Sequence, residues 1–310
     1  MRVTCTGATG FLGPGLVQGL LEAGHTVHVL SRSVEHALGR LPSGVTGSYF
    51  DGSTPLSPDA LAGAEGVVHL AGEPVDQRWT HEAKHRIHQS RAEGTRVLVE
   101  AMKQAGCVRH FVCASAVGFY GGHRAGQTLT EEDPPGDDFL AHVCQDWERE
   151  SVRAEEAGIR TVRLRIGVVL HPAGGVLHRM LPVFRMGAGA KVGNGQQYVS
   201  WVHREDLFGL MRFALEHPTL SGPVNATSPE PVTNATFAHT LGAVLERPAA
   251  LTVPGLVLKA RFGEMARVAL EGQRVMPRRA LEAGFQFRYP DLTGALRDLL
   301  SPPVERATHG

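Results

Sequence analysis

One stretch near the start of the chain constrains its fold more than any other: Gly7-Ala8-Thr9-Gly10-Phe11-Leu12-Gly13. It joins a short apolar run, Arg2–Thr6, to an amphipathic one, Pro14–Ala23, with Leu16, Val17, Leu20 and Leu21 at helical spacing. Glycines spaced G-x-x-G-x-x-G at a strand–helix junction have distinct roles. Gly7 permits a tight turn, Gly10 lets backbone approach a pyrophosphate, and Gly13 lets the helix pack close to the strand. The helix start then offers free N–H groups and a partial positive charge to phosphate oxygens. A second apolar run, Thr26–Leu30, completes the strand–turn–helix–strand context. The motif therefore predicts a dinucleotide site with Gly7, Thr9, Gly10, Phe11 and Leu12 at the phosphates.

The rest of the first half keeps the same rhythm. Ser48–Phe50, Gly66–Leu70, His110–Ala114 and Thr161–Leu170 read as strands, and Glu82–Ala105 and Leu140–Glu156 as helices. Strict alternation implies βαβ units, and right-handed crossovers turn these into a doubly wound parallel α/β sheet of the Rossmann type. After residue 170 the rhythm breaks. Residues 171–200 are glycine-rich with few periodic apolar positions. Glu205–Glu216, Thr233–Leu245, Pro254–Leu270 and Asp291–Leu300 read as helices, and Gly222–Asn225 and Phe285–Tyr289 as short extended pieces. The expected organisation is a Rossmann domain of residues 1–170 plus 201–228. A smaller C-terminal α/β lobe of 171–200 and 229–310 would carry the substrate side.

Composition removes several alternatives. With 31 basic and 31 acidic side chains the formal net charge is zero, which argues against nucleic acid as a partner. No apolar window of ~18 residues exists, so no membrane partner is expected. The chain opens directly on a strand pattern without a leader, which predicts a cytoplasmic protein. The cysteines (Cys5, Cys107, Cys113, Cys144) form no C-x-x-C pair and read as reduced thiols. His81, His85 and His88 share a helix face, but no carboxylate or thiol completes a metal set, so no metal is expected.

The end of the second strand selects the nucleotide. An NAD site calls for Asp or Glu there, to accept from the ribose 2′-hydroxyl. Ser31-Arg32-Ser33 stands instead, offering donors to a 2′-phosphate, so the predicted cofactor is NADP(H). Asp51, after the third strand, reads either as an acceptor for the adenine amino group or as a turn cap. Leu70-Ala71-Gly72 lets backbone lie along the adenosine ribose and phosphates. Arg91, on the long helix, reads either as a phosphate contact or as a solvated cation.

With these residues the chain resembles the extended short-chain dehydrogenase/reductases. More narrowly it resembles the epimerase family proteins, an atypical branch named by analogy with sugar-nucleotide epimerases. The resemblance runs nearly end to end, through Thr9-Gly10-Phe11-Leu12-Gly13, Leu70-Ala71-Gly72-Glu73-Pro74, Arg78-Trp79-Thr80 and Ser90-Arg91. It continues through Ser115-Ala116-Val117-Gly118-Phe119-Tyr120-Gly121, Pro134-Pro135-Gly136-Asp137-Asp138-Phe139-Leu140 and Asp146-Trp147-Glu148. Ser200-Trp201-Val202-His203, Asn225-Ala226-Thr227 and Gly272-Gln273-Arg274-Val275 follow, the last in a segment resembling this branch's own domain of unknown function. The resemblance implies NADP(H), with Ser31 and Arg32 at the 2′-phosphate and Leu70 and Ala71 along the adenosine. It also draws in Arg91 and Arg165 as cofactor contacts.

Catalysis in this superfamily rests on Y-x-x-x-K plus a Ser or Thr. The Tyr is the general acid/base and the Lys lowers its pKa. No Tyr here is followed by Lys four residues on. Counting back from Glu148, the Lys position falls on Cys144 and the Tyr position on Leu140. Ser115 and Tyr120 are the remaining catalytic candidates. Glu73, Arg78, Trp79, Trp201, His203 and Asp206 are pocket candidates, with His203 and Asp206 also readable as structural. The leading expectation is an NADP(H)-dependent oxidoreductase or epimerase, monomeric or homodimeric, acting on a small or nucleotide-linked substrate. The alternative is a non-catalytic NADP(H)-binding sensor or scaffold.

Overall fold

The computed structural model describes residues 1–122 and 126–301. Its centre is a seven-stranded sheet. In chain order the first strands are β1 (Arg2–Thr6), β2 (Thr26–Ser31), β3 (Thr46–Tyr49), β4 (Gly66–His69) and β5 (His110–Ala116). Strands Arg160–Ile166 and Gly222–Ala226 extend the sheet beyond β5, and β4, β1, β2 and β3 run away from it on the other side. Every pairing in this sheet is parallel. Helices cover both faces, so the inner strands are buried along their length, polar residues such as Thr4, Thr6 and Arg165 included.

On one face α1 (Gly13–Glu22) sends Leu16, Val17 and Leu20 against Val3 and Val29, joined by Leu207 and Met211 of α6 (Arg204–Glu216). On the other, α3 (His81–Ala105) and α4 (Phe139–Val152) bury Leu98, Met102 and Trp147 on Phe111. Thr80 caps α3 by accepting from the Ala83 amide, and Asp138 caps α4 by accepting from the Ala141 amide. In such a sheet the helix N-termini and strand C-termini gather on one edge, which is where ligands bind.

The second half departs from the sequence reading in three places. The strand expected over Thr161–Leu170 is two, Arg160–Ile166 and Val168–Leu170, broken at Gly167. A Cβ on Gly167 would run into the Ser200 carbonyl, and the Val168 amide donates to that same oxygen. The chain thereby leaves the main sheet to pair with Trp201–His203. Residues 171–200 hold a helix the sequence did not announce, α5 (Gly175–Arg185), which buries Leu177, Leu181 and Phe184 despite Pro182. The helix expected over Pro254–Leu270 is interrupted at Gly263, whose φ of 62° no L side chain adopts readily. A second core of Leu170, Leu177, Leu181, Phe184, Trp201, Phe237 and Leu296 ties α5 to the C-terminal helices. No described helix is long and apolar enough to cross a membrane.

Candidate functional site

The glycine turn has the shape the sequence demands. Gly7 takes φ of 70°, and a Cβ there would lie 2.8 Å from the Leu70 carbonyl carbon. A Cβ on Gly13 would overlap the backbone of Ala8, so α1 can pack this close only at a glycine. Gly10 is different: its nearest neighbour for an added Cβ is the Gly7 carbonyl at 3.3 Å, and its outer side is open. The Gly10 and Gly13 amides close the turn on the Gly7 and Gly10 carbonyls. The Phe11 and Leu12 amides make no hydrogen bond to a described residue, and Phe11 is 39% exposed. Those two donors at the start of α1 form an anion cradle.

Beneath the turn lies a buried polar hub. The Thr6 hydroxyl accepts from the Leu70 and Ala71 amides at 3.2 and 3.1 Å and lies 2.7 Å from His69 Nδ1. A hydroxyl accepting two amides has one proton left to donate, so His69 Nδ1 is the acceptor. Its Nε2–H then donates to Thr95 Oγ1 at 3.1 Å. The ring must stay neutral, and burial followed by the Arg91 charge lowers its pKa to about 4. The hub fixes the Leu70–Gly72 segment against the glycine turn. Arg91 stands directly under Gly72, where an added Cβ would be 3.1 Å from its guanidinium carbon. Its Nη1 donates to the Glu73 and Ile87 carbonyls, and its guanidinium lies 5.1 Å from the Trp147 ring.

At the end of β2 the Ser31 hydroxyl and the Ser33 backbone exchange hydrogen bonds, which shapes a short turn. Arg32 on that turn is exposed and makes no ion pair among the described residues. Asp51 is spoken for. One oxygen accepts from the Ser53 and Thr54 amides and the Thr54 hydroxyl, and the other from the Tyr49 hydroxyl. Those backbone donors hold its carboxyl far below the usual range. In this structure it caps the turn that follows β3.

The expected catalytic end is built differently. Ser115 donates to Glu148 Oε1 at 2.7 Å. Arg165 grips both oxygens of Glu148 at 2.8 and 2.9 Å, and its guanidinium lies 3.4 Å from the centre of the Phe119 ring. Arg165 also donates to the Tyr120 hydroxyl, which donates in turn to Asn225 Oδ1 at 2.7 Å. Asn225 continues the chain to the Met276 carbonyl, while Glu131 Oε1 accepts from the Asn225 and Arg279 amides. Tyr120 has no exposed surface, and Ser115 and Arg165 show only 3% and 4%. Burial pushes the Tyr120 phenol up to about 12 against the opposing pull of Arg165. A phenol so placed is a core hydrogen-bond partner rather than a neutral-pH acid. Ser115 and Tyr120, read from the sequence as catalytic groups, and Arg165, read as a cofactor contact, are thus brought together in one buried network.

Leu140 and Cys144, on which the count back from Glu148 falls, lie together on α4. Both face the turn after β5, where a Cβ on Gly118 would lie 3.4 Å from Leu140 Cβ and 3.9 Å from Cys144 Sγ. Burial raises the Cys144 thiol to about 12. The pocket candidates are largely structural. His203 accepts from the Glu205 amide and Asp206 from the Arg288 and Tyr289 amides. Glu73 accepts from Gln77 and Arg86, and Trp79 donates to the Val75 carbonyl. Among the described residues no group of three or more His, Cys, Asp or Glu side chains is arranged to hold a metal. Sequence reasoning missed the Thr6–His69–Thr95 hub and the joining of Glu148 to Asn225, because each spans strands far apart in sequence.

The NAD dependent epimerase/dehydratase family profile matches residues 3–226, and a domain of unknown function, DUF1731, matches 253–299. The chain belongs to the NAD-dependent epimerase/dehydratase family. Among its relatives, the chloroplastic epimerase family protein SDR39U1 homolog of Arabidopsis thaliana is 40% identical over 97% of this chain and 87% of its own length. A crystal structure of human epimerase family protein SDR39U1 with NADPH is 34% identical, with a TM-score of 0.82, covering 96% of this chain and 99% of that one. A nucleoside-diphosphate sugar epimerase from Corynebacterium glutamicum is also 34% identical, with a TM-score of 0.78, covering 97% of this chain and 58% of that one. In this family member the open glycine turn, the free Phe11 and Leu12 amides and the unpaired Arg32 fit a dinucleotide carrying an extra phosphate.

Proposed function

We propose that this family member holds NADP(H) in the glycine-turn cleft as a non-catalytic sensor or scaffold. The Phe11 and Leu12 amides would take the diphosphate, Ser31, Arg32 and Ser33 the 2′-phosphate, and Leu70 and Ala71 the adenosine. The bound nucleotide supplies a ring able to give or accept hydride. The observation that carries the reading is the buried ion-paired cluster into which Tyr120 and Ser115 are locked; the Tyr and Lys positions of the family motif, counted back from Glu148, fall on Leu140 and Cys144. Apolar groups there can bind and shield a nucleotide but cannot pass a proton to a reacting oxygen. NADPH bound by the human relative, the close overall match and the missing acid side at β2 support the cofactor half.

Calorimetric titration with NADPH, NADP, NADH and NAD, followed by optical monitoring of bound NADPH against carbonyl compounds and sugar nucleotides, tests the proposal. Preference for the phosphorylated nucleotides with no oxidation by any compound is the expected result. Turnover with any of them, lost on Cys144→Ala, Tyr120→Phe or Ser115→Ala, would establish an enzyme with a rebuilt proton path. Equal affinity for NADH and NADPH would overturn the cofactor assignment.

A further inference from the structure

We infer that His171 is a neutral hydrogen-bond donor to an anionic oxygen of the dinucleotide held at the glycine turn. This rests on the cofactor reading above and adds a residue from outside the glycine motif. His171 directly follows the Val168–Leu170 strand, in the turn that leads to α5. Its Nδ1 accepts from the Ala173 amide at 3.2 Å and faces Arg204 Nη1 at 3.4 Å. A guanidinium nitrogen can only donate, so Nδ1 carries no proton and the single ring proton sits on Nε2. His171 Nε2 makes no hydrogen bond to a described residue, and the side chain is only part-buried.

The packing puts that donor beside the phosphate cradle. The Phe11 and His171 ring centres are 6.2 Å apart. Phe11 lies flat against Gly174 and Gly175, where any Cβ on Gly174 would overlap its ring. The side chain at the heart of the glycine motif is thus clamped to the turn that bears His171.

The surrounding charges keep the ring neutral. Burial and then Arg204 lower its pKa to about 4. His203, itself lowered to about 4 first by burial, also interacts with it, and Glu205 pairs with Arg204. His171 therefore donates without charge throughout the neutral range.

The test is NADPH affinity by fluorescence titration on the full-length protein at pH 7.5. His171→Leu is expected to weaken NADPH about tenfold, the value of one hydrogen bond to a charged oxygen. His171→Gln, which keeps a donor, should recover most of that loss. The loss should be present at pH 7.5, where the ring of the free protein is neutral. In nitrogen NMR the His171 ring should show the Nε2-protonated form, and its Nε2 signal should move on adding NADPH. Unchanged NADPH affinity in His171→Leu at pH 7.5 overturns the inference, as does a proton found on Nδ1. Arg32→Ala separates the two readings. If it weakens NADPH while His171→Leu does not, only the inference fails. If wild-type protein does not bind NADPH at all, both fail.

Discussion

Two ends of one sheet edge handle polar groups in opposite ways. At the glycine turn, the Phe11 and Leu12 amides and the exposed Arg32 guanidinium have no partner among the described residues. Past β5, Ser115, Tyr120, Glu148 and Arg165 bond to one another and are sealed from solvent. The amino acids at the second end are types that enzymes use for chemistry. What separates the two ends is the partner: a ligand in one case, a neighbouring side chain in the other. A buried arginine must be paired to be tolerated, and the bidentate grip on Glu148, with the bond to the Tyr120 hydroxyl, meets that need.

Arg165→Met should have the largest effect. It leaves the Glu148 carboxylate buried with its main partner gone, and should cost about 3–5 kcal/mol in urea unfolding. If stability holds and NADPH affinity falls instead, the sealed end belongs to the binding site and the contrast collapses. Gly13→Ala comes next, at about 3 kcal/mol, because its methyl has only the rigid Ala8 backbone to displace. Gly10→Ala sharpens the same point, since it should leave unfolding nearly unchanged yet weaken NADPH binding.

Acid should act through the hub. His69 is held neutral in the fold, with a pKa of about 4 against the ordinary 6.5. As pH falls, the unfolded chain takes up this proton first. Stability is therefore complete above 6.5, is lost between 6.5 and about 4, and levels off below. The loss from His69 alone should be roughly 3 kcal/mol, and His69→Gln should flatten that limb of a melting-temperature profile. The smallest change in stability belongs to Arg32→Ala. Its exposed side chain should leave melting unaffected while lowering NADPH affinity about tenfold and sparing NADH.

How much of this could be read from the chain depends on how local each constraint is. Gly7, Gly10 and Gly13 were legible because their demands concern backbone within one turn. The register of α4 was legible because a helix fixes its own spacing, so counting back from Glu148 found Leu140 and Cys144. Asp51 sits in Asp-Gly-Ser-Thr, a run whose side chain readily turns back onto its own amides, and that local competitor won. Tyr120 and Arg165 could not be placed, since their partners, Asn225 and Glu148, come from elements far away in the chain. α5 was hidden by flanking glycines and Pro182, although Leu177, Leu181 and Phe184 keep helical spacing. Gly167 ends a strand for a reason found far along the chain, the Ser200 carbonyl just before the Trp201–His203 strand.

The link from Tyr120 through Asn225 to the Met276 carbonyl also sets an order in time. The acceptor for Tyr120 lies 105 residues further along, and the carbonyl that orients it another 51. At ~5–20 residues per second of synthesis, the first of those gaps alone is roughly 5–20 seconds. Through that interval the emerging chain already contains the glycine turn, β2 and the Leu70–Gly72 segment. The nucleotide cradle can therefore form on the ribosome while the polar cluster beside it still awaits its last members.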